Sequence, residues 1–235
     1  MPQIEDLPAG SSLQRNNLNH QAIEDYLKTI YQLALEETPV STSRIAAARE
    51  VKPGSVTSMI QRLDRLNLVH YEKHYGVTLT EKGEQIALEV IRHHRLIELY
   101  LIEALGFEWD EVHEQADILE HVISEKLEER IAAVLNHPTL DPHGDPIPAK
   151  DGSMVDLPTQ PLDTVSSGER VRVARILDDS DAEMLRYLAD IGLTPGATAT
   201  VLGEVHPHGP LNIVVAGRSQ TLGRNYAASV LVETV

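Results

Sequence analysis

The sequence predicts a mainly α-helical chain with a small β domain: a winged helix-turn-helix, a helical body, then a small β-barrel. Three observations carry that expectation. Apolar residues recur at spacings of three and four through residues 20–135. A tight turn between two short helices is followed by a hairpin-like pair of β runs. From Thr164 onward the pattern changes to short β runs divided by glycine-containing turns. The expected divisions are an arm over 1–19, a DNA-binding unit over 20–80, a helical metal-binding unit over 81–148, a linker over 149–163 and the barrel over 164–235.

Each element has a local cause. Residues 1–18 are polar and carry Pro2, Pro8 and Gly10, which suits an arm. Asn19 or His20 opens a helix reaching Glu37, with Ile23, Leu27, Ile30, Tyr31 and Ala34 on one face. Thr38-Pro39 stops it. Ser41 caps a short helix to about Glu50. Val51-Lys52-Pro53-Gly54 turns the chain, and a helix over 55–67 follows, its apolar side made by Val56, Met59, Ile60, Leu63 and Leu66. Two β runs, 68–72 and 77–79, flank a turn at Tyr75-Gly76. A long helix spans about 81–105 and ends at Gly106; a helical pair runs from Asp110 to Leu135. Six of the thirteen prolines fall between His137 and Pro161, marking a strap or linker. Strands are expected at 170–176, 199–205, 211–215, 220–222 and 229–232, with one helical piece at 181–189.

Composition narrows the function. The chain has 235 residues and no cysteine, which excludes disulfides, thiolate zinc sites and a cysteine nucleophile. The start of the sequence does not resemble a secretory signal and no apolar run suits a membrane helix, so a cytoplasmic protein is expected. The net charge of −16 argues against general nucleic-acid affinity. That charge is uneven. Residues 83–235 hold eleven bases and twenty-six acids, net −15, whereas residues 20–82 hold eight of each. Within the latter, Arg44–Lys73 has six bases against three acids. A small, defined DNA contact is therefore expected.

The helices at 41–50 and 55–67 have helix-turn-helix proportions. The second presents Ser55, Thr57, Ser58 and Gln61 away from its apolar stripe, where hydroxyls and amides can bond base edges and phosphates. Arg44, Lys52 and Arg62 supply charge nearby, and Lys73 sits at the wing tip. An ordinary helical pair with a solvated face is the bland alternative; the wing and the local charge favour double-stranded DNA.

A second constellation is acidic and imidazole-rich. His94 and Glu98 are four apart on the long helix and share a face. His113, Asp117, Glu120 and His121 fall at 0, 4, 7 and 8, as one stripe on the next helix. All donors are imidazole nitrogen or carboxylate oxygen, which suits Mn²⁺, Fe²⁺ or Zn²⁺. A surface carrying ordinary Glu/His pairs is the alternative. His20, His137, His143, His206 and His208 lack such spacing and are expected at the surface, with 206–208 as a turn. A metal-dependent hydrolase is the rival from another class, but the sequence supplies no nucleophile or oxyanion motif.

Several segments resemble the diphtheria toxin repressor family, close to its manganese-responsive members. They are Glu24 to Tyr31, Gly54-Ser55-Val56-Thr57, Leu79 to Gly83, Arg92 to Leu96, Val112-His113-Glu114 and Glu120-His121. Pro142-His143-Gly144-Asp145-Pro146-Ile147-Pro148 is similar to the family's strap, and Ala189 to Gly196 resembles its SH3-like module. The resemblance implies a homodimeric repressor of metal-uptake genes that binds a palindromic operator, with no membrane and no small organic substrate among its partners. It implies one site at His94, Glu98 and His113, completed from the SH3-like module at Glu183, with Asp179 or Asp181 as a second acid. It implies another at Asp25, Asp117, Glu120 and His121. Iron-type members carry Met and Cys at the positions of Asp25 and Asp117, so carboxylates there favour Mn²⁺, with Fe²⁺ as the alternative. Lys28 replaces an acid of the short manganese regulators, which implies two separated sites per subunit.

Overall fold

A computed structural model describes residues 12–204 and 209–235. It divides into two compact units, residues 1–91 and 92–235.

The first unit is a winged helix-turn-helix. Helix α1 (Ser12–Ala34) starts earlier than its apolar periodicity suggests. The expected arm therefore loses residues 12–19 to the helix, and its first eleven residues lie outside the described ones. Helix α2 (Thr42–Ala48) is capped by Ser41, whose side chain accepts from the Arg44 amide. Helix α3 (Pro53–Arg65) begins with proline at a position where no amide donor is needed. Strands β1 (Val69–Glu72) and β2 (Gly76–Leu79) pair antiparallel as the wing. The core joins Leu27 and Ile30 of α1, Ile45 of α2, Val56, Ile60 and Leu63 of α3, and Val69 and Val77 of the wing. Fully burying such a side chain contributes about 1.5–3 kcal/mol. The start of α4 (Glu81–Leu105) is fixed locally. Thr80 Oγ1 accepts from the Gly83 amide, and a Cβ at Gly83 would lie 1.9 Å from the Leu68 carbonyl oxygen. Only glycine permits that approach.

In the second unit, the end of α4 packs with α5 (Val112–Leu119) and α6 (Glu125–Val134) through Leu96, Ile131 and Ala132, and through Ile97, Leu101, Val112 and Ala116. The proline-rich segment after α6 folds back as a strap: Leu140 bridges Pro146, and Ile147 is buried beside Leu96. Arg92 donates to Glu128 and to the Pro148 carbonyl, and Arg95 to Asp145 and the Pro146 carbonyl. Gly144 passes so close to Ala174 that a Cβ would lie 2.0 Å from its carbonyl oxygen.

The β domain is a six-stranded antiparallel sheet in the order β3-β8-β4-β5-β6-β7. Its strands are β3 (Gln160–Pro161), β4 (Arg170–Ile176), β5 (Thr198–Glu204), β6 (Leu211–Val215), β7 (Arg218–Leu222) and β8 (Val230–Thr234). Helix α7 (Ala182–Ile191) buries Met184, Leu185 and Leu188 against it. Register shifts in β4 and β5 bend the sheet. Strand β3, a 3₁₀ turn (Leu162–Thr164) and helix α8 (Arg224–Ser229) were not expected. The expected linker over 149–163 therefore gives up its last residues, from Gln160, to this domain. The segment 205–208, with His206 and His208, lies outside the described residues.

Candidate metal centre

Helix α4 supplies the middle of the site. His94 and Glu98, four residues apart, are both buried. His94 Nδ1 lies 2.6 Å from Glu120 Oε2 and 3.3 Å from Asp117 Oδ1; its Nε2 lies 3.0 Å from Glu98 Oε1. His113 on α5 approaches from the side, its Nδ1 3.4 Å from Glu98 Oε1 and its Nε2 3.6 Å from Asp117 Oδ2. Asp179, in the loop between β4 and α7, reaches His113 Nδ1 at 3.5 Å.

Three of these positions correct the sequence reading. The stripe of four donors is not all helical: α5 ends at Leu119, Glu120 is its C-cap and His121 lies beyond it. His121 still stands 3.3 Å from Glu120 Oε1. Glu183 is exposed on the first turn of α7, opposite the face that buries Met184, and is not in the cluster. Asp181 caps α7 by accepting from the Met184 amide, so Asp179 is the acid that the module contributes. His143, expected at the surface, has 0% exposure. The strap carries it inward, where it stacks on Trp109 and brings Nδ1 to 3.7 Å from Glu98 Oε2.

Sequence reasoning missed both strap donors, His143 and Asp141. Only the strap resemblance pointed at that segment, and periodicity gives no signal there. His143 Nε2 lies 3.2 Å from the Trp109 carbonyl oxygen, to which it can only donate. In the neutral ring this leaves a lone pair on Nδ1, turned toward two carboxylates. Glu98 Oε2, Asp141 Oδ2 and His143 Nδ1 are all buried without a hydrogen-bond partner, and the three residues can offer ligand atoms within 4.8 Å of one another. Buried polar atoms left unpaired are costly, so the trio fits a cation. Two further groups meet the same distance limit: His94, Glu98, His113 and Asp179, and His94, Asp117 and Glu120.

The electrostatics show how protons hold this cluster together. Burial opposes ionisation of Glu98, but His94, His113 and His143 outweigh it and hold its carboxyl well below the usual range. Burial lowers the His113 pKa, yet bonds to Asp179 and Glu98 carry it up to about 10. His143 is likewise raised, burial being outweighed by Glu98. Burial, then the charges of Asp145 and Glu98, push Asp141 up to about 8. A divalent ion would take the place of these protons.

The predicted DNA residues lie on the first unit. Lys52, Ser55, Ser58, Gln61 and Lys73 are exposed, and Thr57 and Arg62 half-buried. The Thr57 and Ser58 hydroxyls donate to the Pro53 and Gly54 carbonyls, leaving their lone pairs outward as acceptors. Arg44 is paired with Glu36 and Glu37.

Comparison with known proteins decides the family. Residues 20–77 match the iron-dependent repressor N-terminal DNA-binding domain, 80–149 the iron-dependent repressor metal-binding and dimerisation domain, and 160–234 the FeoA domain. The chain is 35% identical over 227 residues to the iron-dependent repressor IdeR of Mycobacterium tuberculosis, covering 90% of this chain and 96% of that one. The chain belongs to the iron-dependent (diphtheria toxin) repressor family. It is 32% identical over 222 residues to the diphtheria toxin repressor of Corynebacterium glutamicum, covering 90% of this chain and 96% of its relative. It superposes on a manganese-dependent transcriptional repressor solved with manganese at a TM-score of 0.83 and 38% identity, covering 91% of this chain and all of the other. As a member of this family it is a metal-dependent, DNA-binding transcriptional repressor and not an enzyme. Its matched domains make DNA and a second copy of itself its partners. No helix among the described residues is long and apolar enough to cross a membrane.

Proposed function

We propose that this repressor responds to Mn²⁺ and uses two sites per subunit. The observation that carries the proposal is the chemistry of the donors: every one is a carboxylate oxygen or an imidazole nitrogen, with no sulfur among them. Such a set suits an ion harder than those that sulfur ligands select. A neighbour at 38% identity is a manganese-dependent repressor, which supports the same ion. In the first site Asp25, Asp117, Glu120 and His121 act together, as the family resemblance implies. In the second His94, Glu98 and His113 act with Asp179, and Asp141 and His143 of the strap stand beside them. Fe²⁺ is the second reading, favoured by the relative in Mycobacterium tuberculosis.

As the family resemblance implies, Asp25 of α1 makes metal binding and the binding of a palindromic operator by the helix-turn-helix depend on each other. Operator binding and metal binding then strengthen each other by the same factor. The dimerisation domain leaves Leu105, Phe107, Ile118 and Val122 exposed, apolar surface that a second copy would cover. On the same reading the repressor acts in the cytoplasm, on genes of metal uptake.

The test is fluorescence anisotropy on a pool of promoter fragments with chelator, Mn²⁺, Zn²⁺ or anaerobic Fe²⁺. Mn²⁺ is expected to produce binding at the lowest free concentration. Tighter response to Fe²⁺ would overturn the assignment of the ion.

A further inference from the structure

Arg49 belongs to the basic window of the sequence, yet it does not face outward as a phosphate contact would. It is the C-cap of α2, and its Nη2 donates to Asp25 Oδ2 at 2.9 Å. Its Nη1 lies 3.5 Å from Thr29 Oγ1, and the guanidinium carbon sits 5.2 Å from the centroid of the Tyr26 ring. Arg49 Nε is buried and has no hydrogen-bond partner. Both side chains of the Arg49–Asp25 pair are mostly covered, at 28% exposure each.

We propose that Arg49 is a built-in competitor for Asp25 and sets the metal concentration at which the repressor responds. The proposal rests on the reading of Asp25 as a ligand. Without metal, Arg49 gives the Asp25 carboxylate a charge-assisted partner. To ligate, Asp25 must release that bond or share its charge between two cations held in a partly buried place. Arg49 cannot follow it outward without cost, because Tyr26 and Thr29 hold the guanidinium from its other sides. Losing Asp25 leaves a charge whose Nε already lacks a partner, and that loss is subtracted from the metal affinity. Arg49 is thus a positioning residue: it touches no metal, and it acts through Asp25.

The test compares Arg49→Leu with the parent chain. Mn²⁺ affinity is measured by isothermal titration, and the Mn²⁺ concentration for half-maximal operator binding by anisotropy. Arg49→Leu is expected to tighten Mn²⁺ binding roughly two- to fivefold, the upper part of the range for an incompletely buried ion pair, and to lower the half-maximal concentration by a similar factor. In chelator the same variant is expected to melt at a lower temperature, because its apo state has lost the pair. Arg49→Lys keeps the charge without the planar fork, should move affinity in the same direction by less, and serves if the leucine variant fails to fold. Unchanged or weaker Mn²⁺ binding in the folded variant overturns the proposal and would make Arg49 an orienting partner. The underlying reading fails differently: Asp25→Asn would then bind Mn²⁺ as tightly as the parent. With both readings right, Asp25→Asn loses affinity and adding Arg49→Leu to it restores none.

Discussion

Glu98→Gln isolates the charge at the middle of the site while keeping its shape. Glu98 has no exposure, and its Oε1 accepts from His94 and His113 while Oε2 faces His143. Glutamine offers one carbonyl oxygen and an amide that can only donate, so at least one imidazole loses its acceptor. Breaking a buried ionic network by removing one partner costs about 3–5 kcal/mol, because the remaining charges stay buried without compensation. The metal-free protein should therefore lose about that much stability, and Mn²⁺ binding should weaken as well. Trp109 is the single tryptophan and stacks on His143 with ring centroids 5.2 Å apart. Its fluorescence during urea unfolding in chelator reports this unit and not the DNA-binding one. A loss below about 1 kcal/mol, the level of an exposed pair, would refute the claim that Glu98 anchors the imidazoles.

Three further outcomes are expected. Mn²⁺ affinity should rise with pH above neutrality, since His113, with a pKa of about 10, and the raised His143 must give up protons to a metal. In the metal-free protein the sign reverses: the His113 contribution to stability is full below about pH 6.5 and is lost as pH climbs toward 10, which melts across that range would show. His143→Asn and Asp179→Ala should each reduce the Mn²⁺ stoichiometry measured by titration, whereas Glu183→Ala should leave it unchanged. At saturating Mn²⁺, Lys73→Ala should lower the slope of log K against log salt by about one per protomer for all sequences, while Gln61→Ala should cost roughly 1–3 kcal/mol on operator DNA alone. Lost operator discrimination in Lys73→Ala but not in Gln61→Ala would reverse the roles of wing and helix.

What the sequence disclosed follows the range of the interactions involved. Helix α4 appears where its periodicity and its Thr80 and Gly106 boundaries put it, because caps and spacing are local. His94 and Glu98 were legible for the same reason. Asp141 and His143 were not, since their approach to Glu98 depends on the strap folding back and on Gly144 fitting against Ala174. The choice of Asp179 over Glu183 turns on where β4 ends and on Asp181 taking the cap of α7, a matter of two or three residues. Helix α8 and strand β3 are six and two residues long, too short for a period to register.

The metal-free protein leaves few of its candidate ligands waiting with free charge. Asp25 is paired with Arg49, Glu98 with three imidazoles, Asp179 with His113 and Glu120 with His94. Coordination on the proposed reading is thus an exchange of internal cations for an external one, and its free energy is a difference between two large terms. A difference of that kind is small enough to be tuned by one side chain. It also explains how a chain of net charge −16 can use carboxylates as a sensor without holding every cation it meets. The internal partners raise the threshold for all ions together. At Glu98, Asp141 and His143 the internal cations to be exchanged are protons, since Asp141 is pushed up to about 8 and His143 is raised as well. The second site should accordingly fill more readily as pH rises, and Mn²⁺ titrations at about pH 7 and about pH 9 should show His143→Asn removing the step that shifts with pH. Loss of the pH-independent step instead would place the proton-linked site at Asp117, Glu120 and His121.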